Sequence, residues 1–190
     1  MKFMHIYKGI AAIGMLCLSV FGSRFVNVQA EQAAQYGVQM FTTICDGGAT
    51  VTIYDSDADE IADTLVVSGS GATDNYKSKT DTETGAKYAD TPYKEYANDI
   101  TKVIIEKEVT HLGKQTCFKM VNLEVVIFEE GSCLTDIEDS GFYGCEKLKK
   151  IEIPKNVARL GDSTFGSCTA LEEFRFQSNP QHFGLTIRIG

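Results

Sequence analysis

The sequence predicts a mainly β protein, a short solenoid of stacked coils behind an N-terminal β cap, and three observations carry that prediction. The stretch LKKIEIPKNVARLG at 148–161 repeats the apolar grid of ITKVIIEKEVTHLG at 100–113. A middle copy appears once two extra residues are allowed: Leu112, Ile137 and Leu160 then align, as do Leu123, Leu148 and Leu171, with steps of 25 and 23 residues. Each copy also alternates apolar and polar residues over a short run, the pattern of a strand with one face buried.

The elements follow from those columns. The strand alternations are Ile100 with Val103 and Ile105, Leu123 with Val126 and Phe128, Leu148 with Ile151 and Ile153, and Leu171 with Phe174 and Phe176. A second apolar pair follows (Val109 and Leu112, Leu134 and Ile137, Val157 and Leu160), and a turn then leads to the column Cys117, Phe142, Phe165 and to Met120, Cys145, Cys168. One such unit cannot bury its own apolar face, so neighbours must stack and share a core, and periods of roughly 20 to 29 residues are those of leucine-rich solenoids. Residues 99–190 are read as this solenoid, of three to four coils with a repeat of about 23-25 residues. Phe183, Leu185, Ile187 and Ile189, alternating with Gly184, Thr186, Arg188 and Gly190, are read as its closing strand.

The phrase GFYGCEKLKKIEIPKNVARLGDSTFGSCTALEEF resembles the BspA-like leucine-rich repeats of bacterial surface and secreted proteins, whose units run aF-x-x-C-x-x-L-x-x-I-x-I-P-x-x-V-x-x-I-G. The resemblance covers 100–176 and is specific because Cys, Pro and Gly fall in step; it departs in the first turn, where Cys117 takes the Phe column and Met120 the Cys column. Residues 31–98 look like the leader such proteins carry, with Tyr93 where the family commonly has Trp. Runs 51–54 and 65–68 are β-rich and flank an acidic loop, which predicts a hairpin over the first coil, since an open end would expose core and strand edges. Residues 74–91, rich in Thr, Lys, Asp and Gly, are read as a solvated loop. Family members are often much longer, so the chain reads as a truncated copy, with no sorting motif or wall-binding repeat.

Residues 1–30 read as a secretory signal peptide: Lys2 and Lys8 precede an uncharged run over 9–23, and Val28-Gln29-Ala30 offers small residues at the cleavage positions. The alternative, an uncleaved anchor, is disfavoured because the run falls short of the roughly 20 apolar residues that span a bilayer. Lipid attachment at Cys17 is disfavoured by Leu16 before it. Cleavage after Ala30 moves the formal charge from −8 to −11, a field that repels phosphate backbones, so nucleic acid is not an expected partner. No membrane span is expected after cleavage. Cys45, Cys117, Cys133, Cys145 and Cys168 would remain, an odd number without the spacing of a zinc site.

Candidate sites are few. Asp55, Asp57 and Asp59 begin like a calcium loop, but Glu60 stands where Gly is needed and Val66 where a bidentate Glu should close it, so an acidic turn is preferred and neither metal nor other cofactor is expected. Cys145 and Cys168, equivalent in consecutive coils, could form a disulfide or stack as buried thiols. His111 and His182 share no recognisable catalytic frame with Cys45, Cys117 or Cys133, and Gly69-Ser70-Gly71 is read as a turn. On the outward face of the main sheet, register stacks Lys102, Val125, Lys150 and Glu173, then Ile104, Ile127, Glu152 and Arg175, then Glu106, Glu129, Pro154 and Gln177. Ile104, Val125 and Ile127 thus form an apolar patch, either a contact surface or a surface covered by the N-terminal region.

The expected function is non-enzymatic binding, because the repeats offer an extended sheet surface and no converging nucleophile, base and orienter. The resemblance implies adhesion or binding to an extracellular or cell-surface protein. The expected face is Ile104, Val125 and Ile127 with Lys150, Glu152, Glu173 and Arg175. The alternative is an envelope or assembly component that self-associates through the open edge over 174–189.

Overall fold

The computed structural model describes residues 31–32 and 34–177. The signal peptide read over 1–30, His182 and the closing strand at 183–189 lie outside the described residues. Among the described residues, thirteen strands make up nearly all the regular structure. β1 (Val38–Ile44), β2 (Thr50–Asp55) and β3 (Thr64–Ser68) form an antiparallel meander, and β3 then pairs in parallel with β7 (Lys102–Ile105), which pairs in parallel with β9 (Val125–Phe128). β11 (Lys150–Ile153) and β13 (Glu173–Phe176) continue the stack as a separate parallel pair. On the second side of the coils run β4 (Gly71–Ala72), β8 (Val109–Leu112), β10 (Asp136–Ile137) and β12 (Arg159–Leu160), all parallel.

The predicted alternation sets which way each strand faces. Val103, Ile105, Ile151 and Ile153 are buried inward, while Lys150 and Glu152 between them are exposed. Register is as the columns require: Lys102 lies opposite Val125, Ile104 opposite Ile127, Lys150 opposite Glu173 and Glu152 opposite Arg175. The outward columns do not form one ladder, however. Hydrogen bonding stops between β9 and β11, at the coil that carries the two extra residues, which lie in the turn just after β9.

Coils remain joined there through their turns. Cys117 N–H donates to Gly141 O and Phe142 N–H to Thr164 O, and in the same way Lys119 N–H donates to Tyr143 O and Gly144 N–H to Gly166 O. To present those amides, the backbone turns left-handed at two equivalent places per repeat, at Gln115, Ser140 and Ser163 (φ +60, +56 and +54°) and at Lys119, Gly144 and Ser167 (φ +56, +74 and +58°). Five of these six residues carry a side chain, which costs roughly 1 kcal/mol each in that conformation. The geometry is thus imposed by stacking and not by glycine. Inside, Phe142 and Phe165 stack with ring centroids 5.5 Å apart, and Cys117 takes the equivalent, smaller place at the first coil, fully buried beside Met120.

The N-terminal region is part of the stack. β3 and β4 repeat the strand pair of a coil, and Thr73 ties them to the first repeat, its Oγ1 accepting from Gly113 N–H at 2.7 Å and lying 2.9 Å from Thr116 Oγ1. Tyr93 is buried, donates to Thr116 O at 3.0 Å and meets Tyr76 edge to face. Residues 74–91 differ from the solvated loop expected of them: β5 (Ser78–Thr80) and β6 (Lys87–Ala89) form a hairpin, held because Tyr76 and Ala89 at its base are buried in the core. Gly69 and Gly71 form a turn with φ of +76 and +111°.

The disulfide weighed for Cys145 and Cys168 is not formed. Each thiol donates instead to the carbonyl of the preceding coil, Cys145 to Cys117 O at 3.3 Å and Cys168 to Phe142 O at 3.1 Å, so the column is satisfied without a cross-link. Burial pushes the thiols of Cys117 and Cys145 well up. On the second side, Asp136 bridges three coils, 3.0 Å from His111 Nε2 and 2.8 Å from Arg159 Nε, and Arg159 also pairs with Glu138. Partial burial alone would raise the Asp136 carboxyl, but hydrogen bonds from Thr135 and Arg159 hold it below the ordinary carboxylate range.

Three outcomes follow from this packing. Gly144→Ala should cost about 1 kcal/mol while Lys119→Gly costs nothing, read as urea midpoints. A thiol reagent should label Cys133 rapidly and the four buried cysteines only on unfolding, with all five titrating under denaturing, non-reducing conditions. Because the Asp136 pKa is depressed by folding, its contribution is complete above the unfolded carboxylate range and is lost as pH falls through the folded value. Asp136→Asn should therefore narrow the stability difference between about pH 6 and about pH 3, and an unchanged difference would show that the ladder contributes nothing.

Candidate functional site: the outward sheet face

The outward face is built by the residues that alternate with the core-facing ones on β3, β7, β9, β11 and β13. Parallel register aligns Val66, Ile104 and Ile127 in one column and Thr64, Lys102 and Val125 in the next. Apolar side chains at outward positions need a cover or remain exposed, and this face shows both conditions. Val66 is buried in a small cluster with Tyr36 and Tyr54, and Ile104 packs against it half-buried. One strand further on, Val125 and Ile127 are each 43% exposed.

The cover is Tyr36, which no repeat predicts. The chain is helical at residues 31–32 and 34–36, and Tyr36 at the end of that segment is only 7% exposed. Its ring lies 5.4 Å from that of Tyr54, and its hydroxyl donates to Glu106 Oε1 at 3.1 Å while accepting from Gln35 Nε2 at 2.8 Å. Burial, with Glu129 nearby, raises the Glu106 carboxyl above its ordinary range. Of the three apolar residues expected to form an open patch, Ile104 is therefore partly claimed by the N-terminal segment, and the open surface is Val125 with Ile127.

Beyond the break, the face turns from apolar to charged. Lys150, Glu152, Glu173 and Arg175 are all exposed, and register sets Lys150 opposite Glu173 and Glu152 opposite Arg175. Arg175 also pairs with Glu173 on its own strand at 3.1 Å. Opposite charges facing across the pair stabilise it slightly and leave the surface amphoteric.

Other candidate positions are occupied by structural work. Asp55 accepts from the amides of Ala58, Asp59 and Glu60, Asp57 from that of Asp59, and Asp59 from that of Ile61, and one carboxylate oxygen of each of the three lies within 4.8 Å of the others. His111 is held by Asp136 and by Thr110 Oγ1. Cys45 lies against Tyr76, and among the described residues no hydrogen bond joins a cysteine to a histidine. A cleft of about 250 Å³ lies between the β5–β6 hairpin and the first repeat turn, lined by Tyr88, Phe118, Lys87, Lys94 and Lys119 among others. It escapes sequence reasoning because its hairpin wall is polar.

Comparison with known proteins bears on the family and not on the site. A search of curated proteins finds no match. A leucine-rich repeat protein from Bacteroides capillosus is 25% identical, with 72% of this chain and 99% of that chain covered and a TM-score of 0.41. The pneumococcal vaccine antigen PcpA is 15% identical over 73% of this chain and 38% of its own, with a TM-score of 0.40. A leucine rich cell surface protein from Faecalibacterium prausnitzii is 18% identical over 72% of this chain and 43% of its own, with a TM-score of 0.35. The chain thus spans less than half of the latter two. Residues 92–186 match the BspA type leucine rich repeat region in six copies, opening ahead of the repeat boundary at 99 read from the columns. With half its length matched to that repeat, the chain belongs to the BspA-type leucine-rich-repeat family.

Proposed function

We propose that this chain is an exported, non-enzymatic binding protein that engages an extracellular or cell-surface protein through the outward face of its parallel strands. One observation carries the reading: Val125 and Ile127, branched apolar side chains, stand 43% exposed on β9 at positions where alternation would place polar ones. Neighbouring coils flank them with Lys102 on one side and the Lys150, Glu152, Glu173 and Arg175 group on the other, an apolar centre with a charged rim such as protein contacts use. Leucine-rich-repeat proteins bind proteins generally, and the matched repeats of this chain are of that kind.

Self-association is the competing reading, and β1 favours it. This edge strand, VQMFTTI, carries no charge, and Val38 and Ile44 on it are 52% and 77% exposed, so its protection is limited to the irregularity between Gln39 and Phe41. The test is capture of extracellular and cell-surface proteins by the immobilised chain beside a Val125→Ser, Ile127→Ser double variant whose urea midpoint matches the parent. The expected outcome is a partner whose affinity falls at least about tenfold in the variant. Equal capture by both would sink the assignment of the face, and no capture with concentration-dependent sedimentation would favour self-association.

A further inference from the structure

A stack of equivalent coils repeats its surface along with its core, and the outward face offers one position twice. At the first, Tyr36 lies in the Val66 and Ile104 cluster and donates its hydroxyl to Glu106. One coil on, β9 sets Ile127 opposite Ile104, and Glu129, 23 residues after Glu106, follows Phe128 as Glu106 follows Ile105. Glu129 is already oriented: its Oε2 accepts from Lys107 N–H at 3.0 Å, and its other oxygen has no hydrogen-bond partner among the described residues. The second position therefore has the same apolar column and the same carboxylate, with Val125 beside it, but no aromatic ring on top.

We infer that Val125, Ile127 and Glu129 form a tyrosine-accepting subsite, one coil on from the subsite that Tyr36 fills in the chain itself, and that the partner presents an exposed tyrosine to it. The inference rests on the reading of this face as a contact surface and adds the chemistry of the group that docks there. The ring would cover the Ile104 and Ile127 column beside Tyr36, and the phenol would donate to the open oxygen of Glu129. Phenylalanine would satisfy the column and leave the carboxylate unmet. The wall that Tyr54 gives Tyr36 has Thr64 as its counterpart in the next strand, so the second subsite is the more open of the two.

The probe is the chain's own segment, a synthetic peptide of residues 31–37, EQAAQYG, titrated into the whole chain labelled at isoleucine and valine methyls. Saturable shifts at Val125 and Ile127 are expected, about tenfold weaker for the peptide with Tyr36→Phe, as for loss of one hydrogen bond to a charged acceptor, and absent in the chain variant Ile127→Ser. Glu129→Gln should remove the preference for tyrosine over phenylalanine. The chain variant Tyr36→Ala serves as control, because the peptide should refill the vacated first subsite and shift Ile104. A peptide that refills this subsite but leaves Val125 and Ile127 unmoved overturns the inference while the contact face stands. Equal shifts from the phenylalanine peptide, or no shift at either subsite, also overturn it. Partner capture unaffected by Val125→Ser, Ile127→Ser would instead fail the contact-face reading.

Discussion

Every coil of this chain depends on backbone hydrogen bonds made to the next one. The left-handed residues Gln115, Lys119, Ser140 and Gly144 turn amides toward carbonyls one coil away, and three of the four do so without glycine. Local preference opposes that conformation, so the stack enforces it. The same dependence explains the core: Leu112, Leu123, Phe142, Leu148 and Phe165 are buried by neighbouring coils and could not be buried by their own. It also explains why the N-terminal region joins the stack through β3 and β4 and not as a separate lid.

How much of this was legible in the sequence depends on periodicity. Strand direction has a period of two, so the columns Lys102 with Val125 and Ile104 with Ile127 follow from the alternation itself, and the observed register matches them. The 2-residue insertion was visible too, but the break in hydrogen bonding beside it was not, because pairing depends on the path of the backbone. Tyr36 was invisible for the opposite reason: it occurs once, outside the repeat, and its partners Tyr54 and Glu106 lie 18 and 70 residues away. The β5–β6 hairpin was missed because its residues are polar and exposed, and only Tyr76 and Ala89 at its base are held in the core. The thiol column could be seen to stack, while its choice of carbonyl over disulfide needed the distances.

The face and the core make different use of one repeat. Inward columns stay apolar and buried, the smaller Cys117 in the Phe column included. Outward columns vary freely, from Ile127 to Glu152 to Arg175, so successive coils can offer apolar, acidic and basic groups without disturbing the stack. That division lets a repeat protein diversify what it contacts while its scaffold stays fixed. In this chain the apolar part of the face lies beside the segment that already covers half of it.

The gap in hydrogen bonding between β9 and β11 bears on how the protein comes apart. Ahead of β9, three sets of bonds tie each coil to the next, those of the main strands, the second strands and the turns; at the β9–β11 junction the first set is missing. In a one-dimensional array, opening begins where nearest-neighbour coupling is weakest. The coils carrying β11 and β13 can then loosen as a unit, exchanging their amide hydrogens faster than the N-terminal coils, with the exposed apolar residues of β9 standing at the hinge.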